Sequence, residues 1–308
     1  MSQWQLKTPV VFIIFKRPET TQKVFDVIRQ AKPPQLLVIA DGHRIDRPGE
    51  AEQCAATRTI IDCVDWDCEV LKNYSEINLG CAKRVASGLD WVFNTVEEAI
   101  ILEDDCVPHP TFFRFCEELL NRYRHDQRIT SISGQNVQFG QKRTEYSYYF
   151  SRYQHCWGWA TWKRAWQYFN FDEQLWSNVL ELDLLTEILG EAQAVRAWRK
   201  NFQSTYSGKI DTWDTRWMLS CWVQSGLSII SNVNLVSNIG FGNQSTNANQ
   251  KKSRYSQMPV EEMNFPLNHP PFIIRNRAAD NFTQNTLFDY SPTLLKRIAR
   301  KIKLIATY

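Results

Sequence analysis

Apolar and polar blocks alternate with a regular spacing through the first part of the chain. Residues 9–15 (PVVFIIF) form an unbroken β-branched and aromatic run, which predicts a buried central strand. A helix opens behind it at Pro18, with Val24, Val27 and Ile28 on one face, and stops at Pro33-Pro34. Residues 36–40 (LLVIA) predict a second strand that ends in Asp41-Gly42. A helix over 50–63, a short strand over 68–71, a turn at Asn78-Leu79-Gly80 and a helix over 81–95 follow. The next apolar run, 99–102, predicts a strand that breaks off in Glu103-Asp104-Asp105. An amphipathic helix over 112–123 and a strand over 129–134 complete the series. Strands and helices in this rhythm predict an α/β fold: a mainly parallel sheet, helices on both faces and right-handed crossovers.

The pattern changes after Gly134. A short aromatic strand is expected over 146–150, and an aromatic segment over 151–166 carries His155, Trp157, Gly158, Trp159 and Trp162. Helices are expected over 180–189, 192–206 and 213–225, and strands over 227–230 and 234–236. Residues 240–257 are polar and predict a mobile loop. Residues 293–303 (TLLKRIARKIK) predict a basic amphipathic helix that either lies on a membrane surface or packs on its own domain.

Composition narrows the class. The 308 residues are 43% apolar and 22% charged, as in a soluble globular protein, and suffice for one large or two medium domains. A formal net charge of +3 implies no general affinity for nucleic acid. No stretch approaches the ~20 apolar residues of a membrane span. The N-terminal residues carry no secretory pattern and the eight cysteines form no Cys-x-x-Cys pair, so reduced thiols and a cytoplasmic location are expected. Twelve Trp and eleven Tyr are unusual; such rings either floor sugar sites or fill cores.

Three adjacent carboxylates at the end of a buried strand repel one another unless water or a cation is there. Strand C-termini of α/β sheets are ligand sites. A hard divalent ion, Mn²⁺ or Mg²⁺, held by one or two carboxylates and a diphosphate suits them, which points to a nucleotide-diphosphate compound. Arg17, where the first strand gives way to a helix, suits a diphosphate or base. Asp41 either receives a nucleobase or anchors its turn. Asp214 in Thr212-Trp213-Asp214-Thr215-Arg216-Trp217 is a candidate general base, with Asp211 its rival. Either could instead be a helix cap. Trp157, Trp159 and Trp213 are candidate sugar-stacking residues, and the loop around Gly242, Ser245 and Thr246 is a candidate lid.

In order along the chain stand Arg17 after the first strand, Asp41 after the second, NLGCAKRVASGL, ILEDDCVPHPTFFRF, WGWATWKRAW, WDTRW and SNIGFGNQST. On these pieces residues 10–246 resemble a GT-A glycosyltransferase, more narrowly the inverting N-acetylglucosaminyltransferase I type. The resemblance implies a Rossmann-like nucleotide-sugar-binding half over 1–135, an aromatic-rich acceptor and catalytic half over 136–245, and a loop and basic tail over 246–308. It implies a metal-dependent inverting hexosyl or N-acetylhexosaminyl transfer from a UDP-linked or other nucleotide-diphospho-sugar to a hydroxyl of a carbohydrate or glycoconjugate. Asp105 would be the metal ligand, Asp104 would bond a hydroxyl of the sugar or ribose, and Glu103 would support the geometry or touch the donor. Asp41 would accept the uracil imide N–H, Lys83 and Arg84 would lie near the donor, and Asp214 would face the acceptor. Polysaccharide biosynthesis, with peripheral contact to the inner membrane through the basic tail, is the implied setting. Two other readings stand: a sugar-nucleotide pyrophosphorylase, disfavoured because Lys16-Arg17-Pro18-Glu19 lacks a phosphate-binding glycine, and a non-catalytic carbohydrate-binding protein on the same fold.

Overall fold

The computed structural model describes residues 4–241 and 254–288. The expected lid residues Gly242, Ser245 and Thr246 and the expected basic helix over 293–303 lie outside the described residues.

Strands β1 (Val10–Ile14), β2 (Gln35–Ala40), β3 (Glu69–Tyr74) and β4 (Glu98–Glu103) pair in parallel in the order β3-β2-β1-β4. The same sheet continues through β6 (Ile129–Ser133), β7 (Tyr148–Ser151), β8 (Trp159–Trp162) and β9 (Leu227–Ser231), giving eight strands in the order β3-β2-β1-β4-β8-β6-β9-β7. Only β8 and β7 run against the rest. A second, two-stranded antiparallel ribbon joins β5 (Cys106–Pro108) to β10 (Val236–Asn238). The chain is therefore α/β with a mainly parallel sheet, as its alternation predicts.

Helices α1 (Pro18–Ala31), α2 (Glu50–Thr59), α3 (Cys81–Thr95) and α4 (Thr111–Tyr123) fill the intervals between the early strands. Alternate residues of β1 separate the two faces. Val10, Phe12 and Ile14 share a core with Val24, Phe25 and Ile28 of α1 and with Phe112, Phe115 and Leu119 of α4. Val11 and Ile13 share the opposite core with Val85, Leu89 and Val92 of α3. Strand period 2 set against helix period 3.6 produces this double covering. The later helices are α5 (Lys163–Trp166), α6 (Glu173–Glu181), α7 (Leu184–Leu189), α8 (Ala192–Tyr206), α9 (Asp214–Trp222) and α10 (Arg277–Thr283). Trp176, Trp198, Phe202, Leu219 and Trp222 of α6, α8 and α9 make a separate aromatic core. Among the described residues no helix is long and apolar enough to cross a membrane. All eight cysteines are free thiols.

The structure differs from the sequence reading chiefly after β4. Residues 159–162 were expected within an aromatic ligand segment and are instead a strand, inserted antiparallel between β4 and β6. Its sequence, Trp-Ala-Thr-Trp, is too short to show a period, and all four residues are buried. The expected helix over 180–189 is two helices, α6 and α7, broken at Asp183, whose φ of 47° is left-handed. The strand expected over 234–236 lies at 236–238, and it leaves the main sheet to pair with β5.

Candidate active site

The sheet turns its direction of winding between β1 and β4. From β1 the chain crosses by α1 to β2 over one face, and α3 enters β4 over the other. Such a switch point leaves a crevice outside the carboxyl ends of the two strands. Parallel register sets Ile13 beside Glu103, so the residues that follow each strand meet: Phe15, Lys16 and Arg17 with Asp104 and Asp105. The Phe15 N–H donates to Asp104 Oδ2 at 3.2 Å. Arg17 Nη2 pairs with Asp104 Oδ1 and lies 2.9 Å from Asp105 Oδ2. Burial disfavours the guanidinium charge, but Asp104 and Asp105 outweigh it and hold its pKa above the usual value. Burial pushes the Asp104 pKa up, against the pull of Arg17.

The second half of the chain returns to the same place twice. The β5–β10 ribbon carries Asn238 and Gly240 over the acidic tip: the Ile239 N–H donates to the Asp105 carbonyl at 2.8 Å, and Asn238 Nδ2 lies 3.4 Å from Asp105 Oδ1. A methyl group on Gly240 would stand 2.0 Å from Asp105 Oδ2, so a side chain there would have to push the Asp105 carboxylate or Arg17 aside. Antiparallel β8, with Trp159 opposite Ile101, leads Cys156 and Trp157 to the end of β4. There the Cys156 thiol faces Asp214 Oδ2 at 3.9 Å, and Trp157 packs edge-on against Phe241 at 5.5 Å.

Glu103 sits among Asp105, Asp104 and Asp214. Burial raises its pKa to about 8, and the three negative neighbours add to the rise. Its ordinary value is 4.5, so between pH 4.5 and about 8 the folded protein keeps a proton that the unfolded chain has lost. The contribution of this group to stability is full below that window and is lost as pH rises through it. Glu103→Gln cannot ionise and should remove this loss, on the order of a few kcal/mol across the window. Urea titrations of both proteins from pH 4.5 to 8 check this; parallel stability profiles would refute it.

The two candidate bases separate cleanly. Asp211 accepts the N–H groups of Cys81 at 2.8 Å and Ala82 at 2.9 Å, so both its oxygens cap α3, a helix 130 residues away in sequence. It is a cap, but of a distant helix, which local sequence could not show. Asp211→Ala should lower stability by about 1 kcal/mol, the usual value of a lost N-cap, read as a lower Tm with turnover retained. Asp214 uses Oδ1 for Thr212 Oγ1 and for the Thr215 N–H at 2.7 Å. Its Oδ2 meets only the weak Cys156 donor and stays available.

Several expected donor contacts take other roles. Asp41 accepts from the N–H groups of Gly42 (2.9 Å), Leu79 (2.9 Å) and Gly80 (3.1 Å) and from Asn78 Nδ2 (3.0 Å). These fill the roughly four acceptor positions of a carboxylate, so Asp41 clamps the 78–80 turn and is not free for an imide N–H. Arg84 is 5% exposed and binds the Ala40 carbonyl, the Asn73 carbonyl and the Asn73 side chain; it ties β2 to β3 and does not face the crevice. Lys83, one residue earlier on α3, is exposed. Trp159 and Trp213 are 1% and 2% exposed and stack on each other at 5.4 Å inside the core, so neither can floor a sugar. Trp157 alone of the three stays half-buried at the site.

A divalent ion needs open carboxylate oxygens at its short bonding distance. Both oxygens of Asp105 are engaged, Oδ2 by Arg17 and Oδ1 by the Cys106 thiol at 3.3 Å and by Asn238, and Gly240 packs over them. As arranged, these residues do not fit the expected metal, and Asp105 is an Arg17 partner.

Sequence reading missed Cys106, Cys156, Asn238 and Gly240. The last two fall in SNIGFGNQST, which was quoted but given no role at those positions. Farther along the same edge of the sheet, the loops after β6 and β9 enclose a cavity of about 290 Å³ lined in part by Phe139, Lys142, Asn232, Met258 and Glu261.

No protein-family description matches the chain, and no curated protein does. Among solved structures, one titled UDP-glucose pyrophosphorylase complexed with UDP-glucose is similar over 73% of this chain and 90% of that chain, with 10% identity and a TM-score of 0.35.

Proposed function

We propose that the protein transfers a sugar from a nucleotide-diphospho-sugar to a hydroxyl of a carbohydrate or glycoconjugate, with inversion at the anomeric carbon. The observation that carries this is that Asp214 from the second half interacts electrostatically with Glu103, which precedes the Arg17–Asp104–Asp105 cluster at the end of β4. The nucleotide lies outside the ends of β1, β2 and β4. The acceptor lies against the half-buried Trp157.

The transfer balances as follows. The bond from the anomeric carbon to the β-phosphate oxygen breaks, and its electron pair stays on the diphosphate. The acceptor oxygen bonds to the carbon from the opposite side, and its proton goes to Asp214 Oδ2. Arg17 stands where the leaving charge grows. The span from Ile14 to Pro18 is short and holds no glycine of a phosphate-cradling loop, which argues for this reading over a pyrophosphorylase.

A screen of common sugar nucleotides with mono- and oligosaccharide acceptors, read by released nucleoside diphosphate and by anomeric NMR of the product, tests the proposal. The expected result is release that requires both donor and acceptor, with inverted product. Formation of nucleoside triphosphate from pyrophosphate, or donor binding with no turnover for any pair, would overturn it.

A further inference from the structure

We propose that the cavity enclosed by the loops after β6 and β9 is a carbohydrate-binding site for the part of the acceptor remote from the reacting hydroxyl. The inference rests on the sugar-transfer reading above and adds where the rest of that acceptor is held.

The cavity, about 290 Å³, is at the lower end of the size range of small-molecule pockets. Its walls are fixed by hydrogen bonds between side chain and backbone. Asn232 Nδ2 donates to the Thr144 carbonyl at 2.8 Å, and its Oδ1 accepts the Arg143 N–H at 3.2 Å. Asn234 Nδ2 donates to the Val236 and Pro259 carbonyls at 3.0 and 2.9 Å, and its Oδ1 accepts the Asn136 N–H at 3.0 Å. Both side chains line the cavity, so a ligand finds these walls already ordered.

Asn136, a third lining residue, is 5% exposed and has hydrogen-bonding capacity to spare. Its Nδ2 donates to the Ser231 carbonyl at 2.7 Å, and its Oδ1 accepts the Gln138 N–H at 2.7 Å. A carboxamide has two donor and two acceptor positions, so one of each is left without a partner among the described residues. A hydroxyl, donor and acceptor at once, complements such a pair. Lys142 and Glu261 line the same cavity from exposed positions, and neither side chain is bonded to a described residue. Their charges cancel, so a phosphate would meet the Glu261 carboxylate, whereas a neutral polyol finds a donor and an acceptor. Phe139 lies under Arg254 Cζ at 3.9 Å, keeps 38% of its surface exposed, and with Val233 and Met258 gives the cavity an apolar side. Hydroxyls together with an apolar C–H face are the chemistry of a sugar ring.

Its place in the fold gives the role. Asn234 lines the cavity, and four residues farther along, through β10, Asn238 Nδ2 lies 3.4 Å from Asp105 Oδ1. Four residues of chain span at most about 14 Å. An oligosaccharide of a few rings bridges that distance, with one end in the cavity and the other at the acidic tip.

Saturation-transfer NMR and calorimetry of the full chain, with no nucleotide present, test this. The probes are glucose with cellotetraose, mannose with mannotetraose, N-acetylglucosamine with chitotetraose, and inorganic phosphate. The expected result is that at least one series binds, the tetrasaccharide more tightly than the single sugar, and that phosphate does not displace it. Glu261→Ala should weaken binding about 10-fold, the value of a lost hydrogen bond to a charged group. Phe139→Ala should weaken it about 3- to 10-fold. Thermal melts matching the parent show that both variants are folded. Trp157→Ala should weaken the tetrasaccharide more than the single sugar. No binding in any series, displacement by phosphate, or unchanged affinity in both Glu261→Ala and Phe139→Ala would overturn the inference and leave the transfer reading to the donor screen. Equal affinity for single sugar and tetrasaccharide would overturn the acceptor role. Failure of the donor screen while saccharides still bind would overturn the transfer reading and the acceptor role together, leaving a carbohydrate-binding site.

Discussion

Asp214→Asn should abolish sugar transfer and leave nucleotide affinity unchanged. The amide keeps the shape of the carboxylate, and its oxygen can still accept from Thr212 Oγ1 and from the Thr215 N–H, so the first turn of α9 keeps its anchor. What disappears is Oδ2, the one oxygen that faces only a thiol. An amide nitrogen there cannot take the acceptor proton. Loss of a positioned general base typically slows turnover by about 10²- to 10⁴-fold, and the expected drop in kcat is of that order. On the proposed reading, nucleotide affinity should not move. The paired measurement is released nucleoside diphosphate against calorimetric affinity. Turnover within a few-fold of the parent would remove Asp214 from the chemistry. Asp211 provides the contrast, because its variant should change Tm and spare kcat.

The second large effect belongs to the aromatic residues. Trp159→Ala should destabilise the fold by about 3–5 kcal/mol, the usual range for deleting a fully buried tryptophan or phenylalanine side chain. Trp159 is a strand residue of β8 with its ring stacked on Trp213 and tilted against Trp166 and Trp217, with nothing at hand to fill the void. Trp157→Ala should cost less stability than Trp159→Ala, since that ring is half-buried at the edge of the core, and should raise the acceptor KM. Thermal melts and acceptor saturation curves separate the two. A soluble, fully stable Trp159→Ala protein would contradict the core placement.

These two residues also show where a sequence can be read. Trp157 and Trp159 are identical in type and two apart, and in a strand that places them on one face; no local signal distinguishes a wall of the site from the core. What distinguishes them is where β8 begins and what covers it, namely α9 bringing Trp213. The same holds for Asp211 and Asp214. Both are acids at the start of a helical pattern, and the partner that decides their roles, the N-terminus of α3, is 130 residues distant. Asp41 ends a strand as expected, yet the turn that saturates it arrives from residues 78–80.

The sequence by itself determined the layers. Runs such as PVVFIIF and AIIL, bounded by turn residues, read as strands buried on both faces, the amphipathic stretches between them read as covering helices, and an acidic triplet ending one such strand marks its carboxyl end as charged. Those are local consequences of periodicity and solvation. Only the tertiary structure decided which charges meet. Strand order set β4 beside β1, register set Arg17 against Asp104 and Asp105, and the β5–β10 ribbon set Gly240 on top. Coulomb energy and hydrogen bonding depend on separations of a few ångströms between residues far apart in the chain, and only the packing of the sheet fixes those separations.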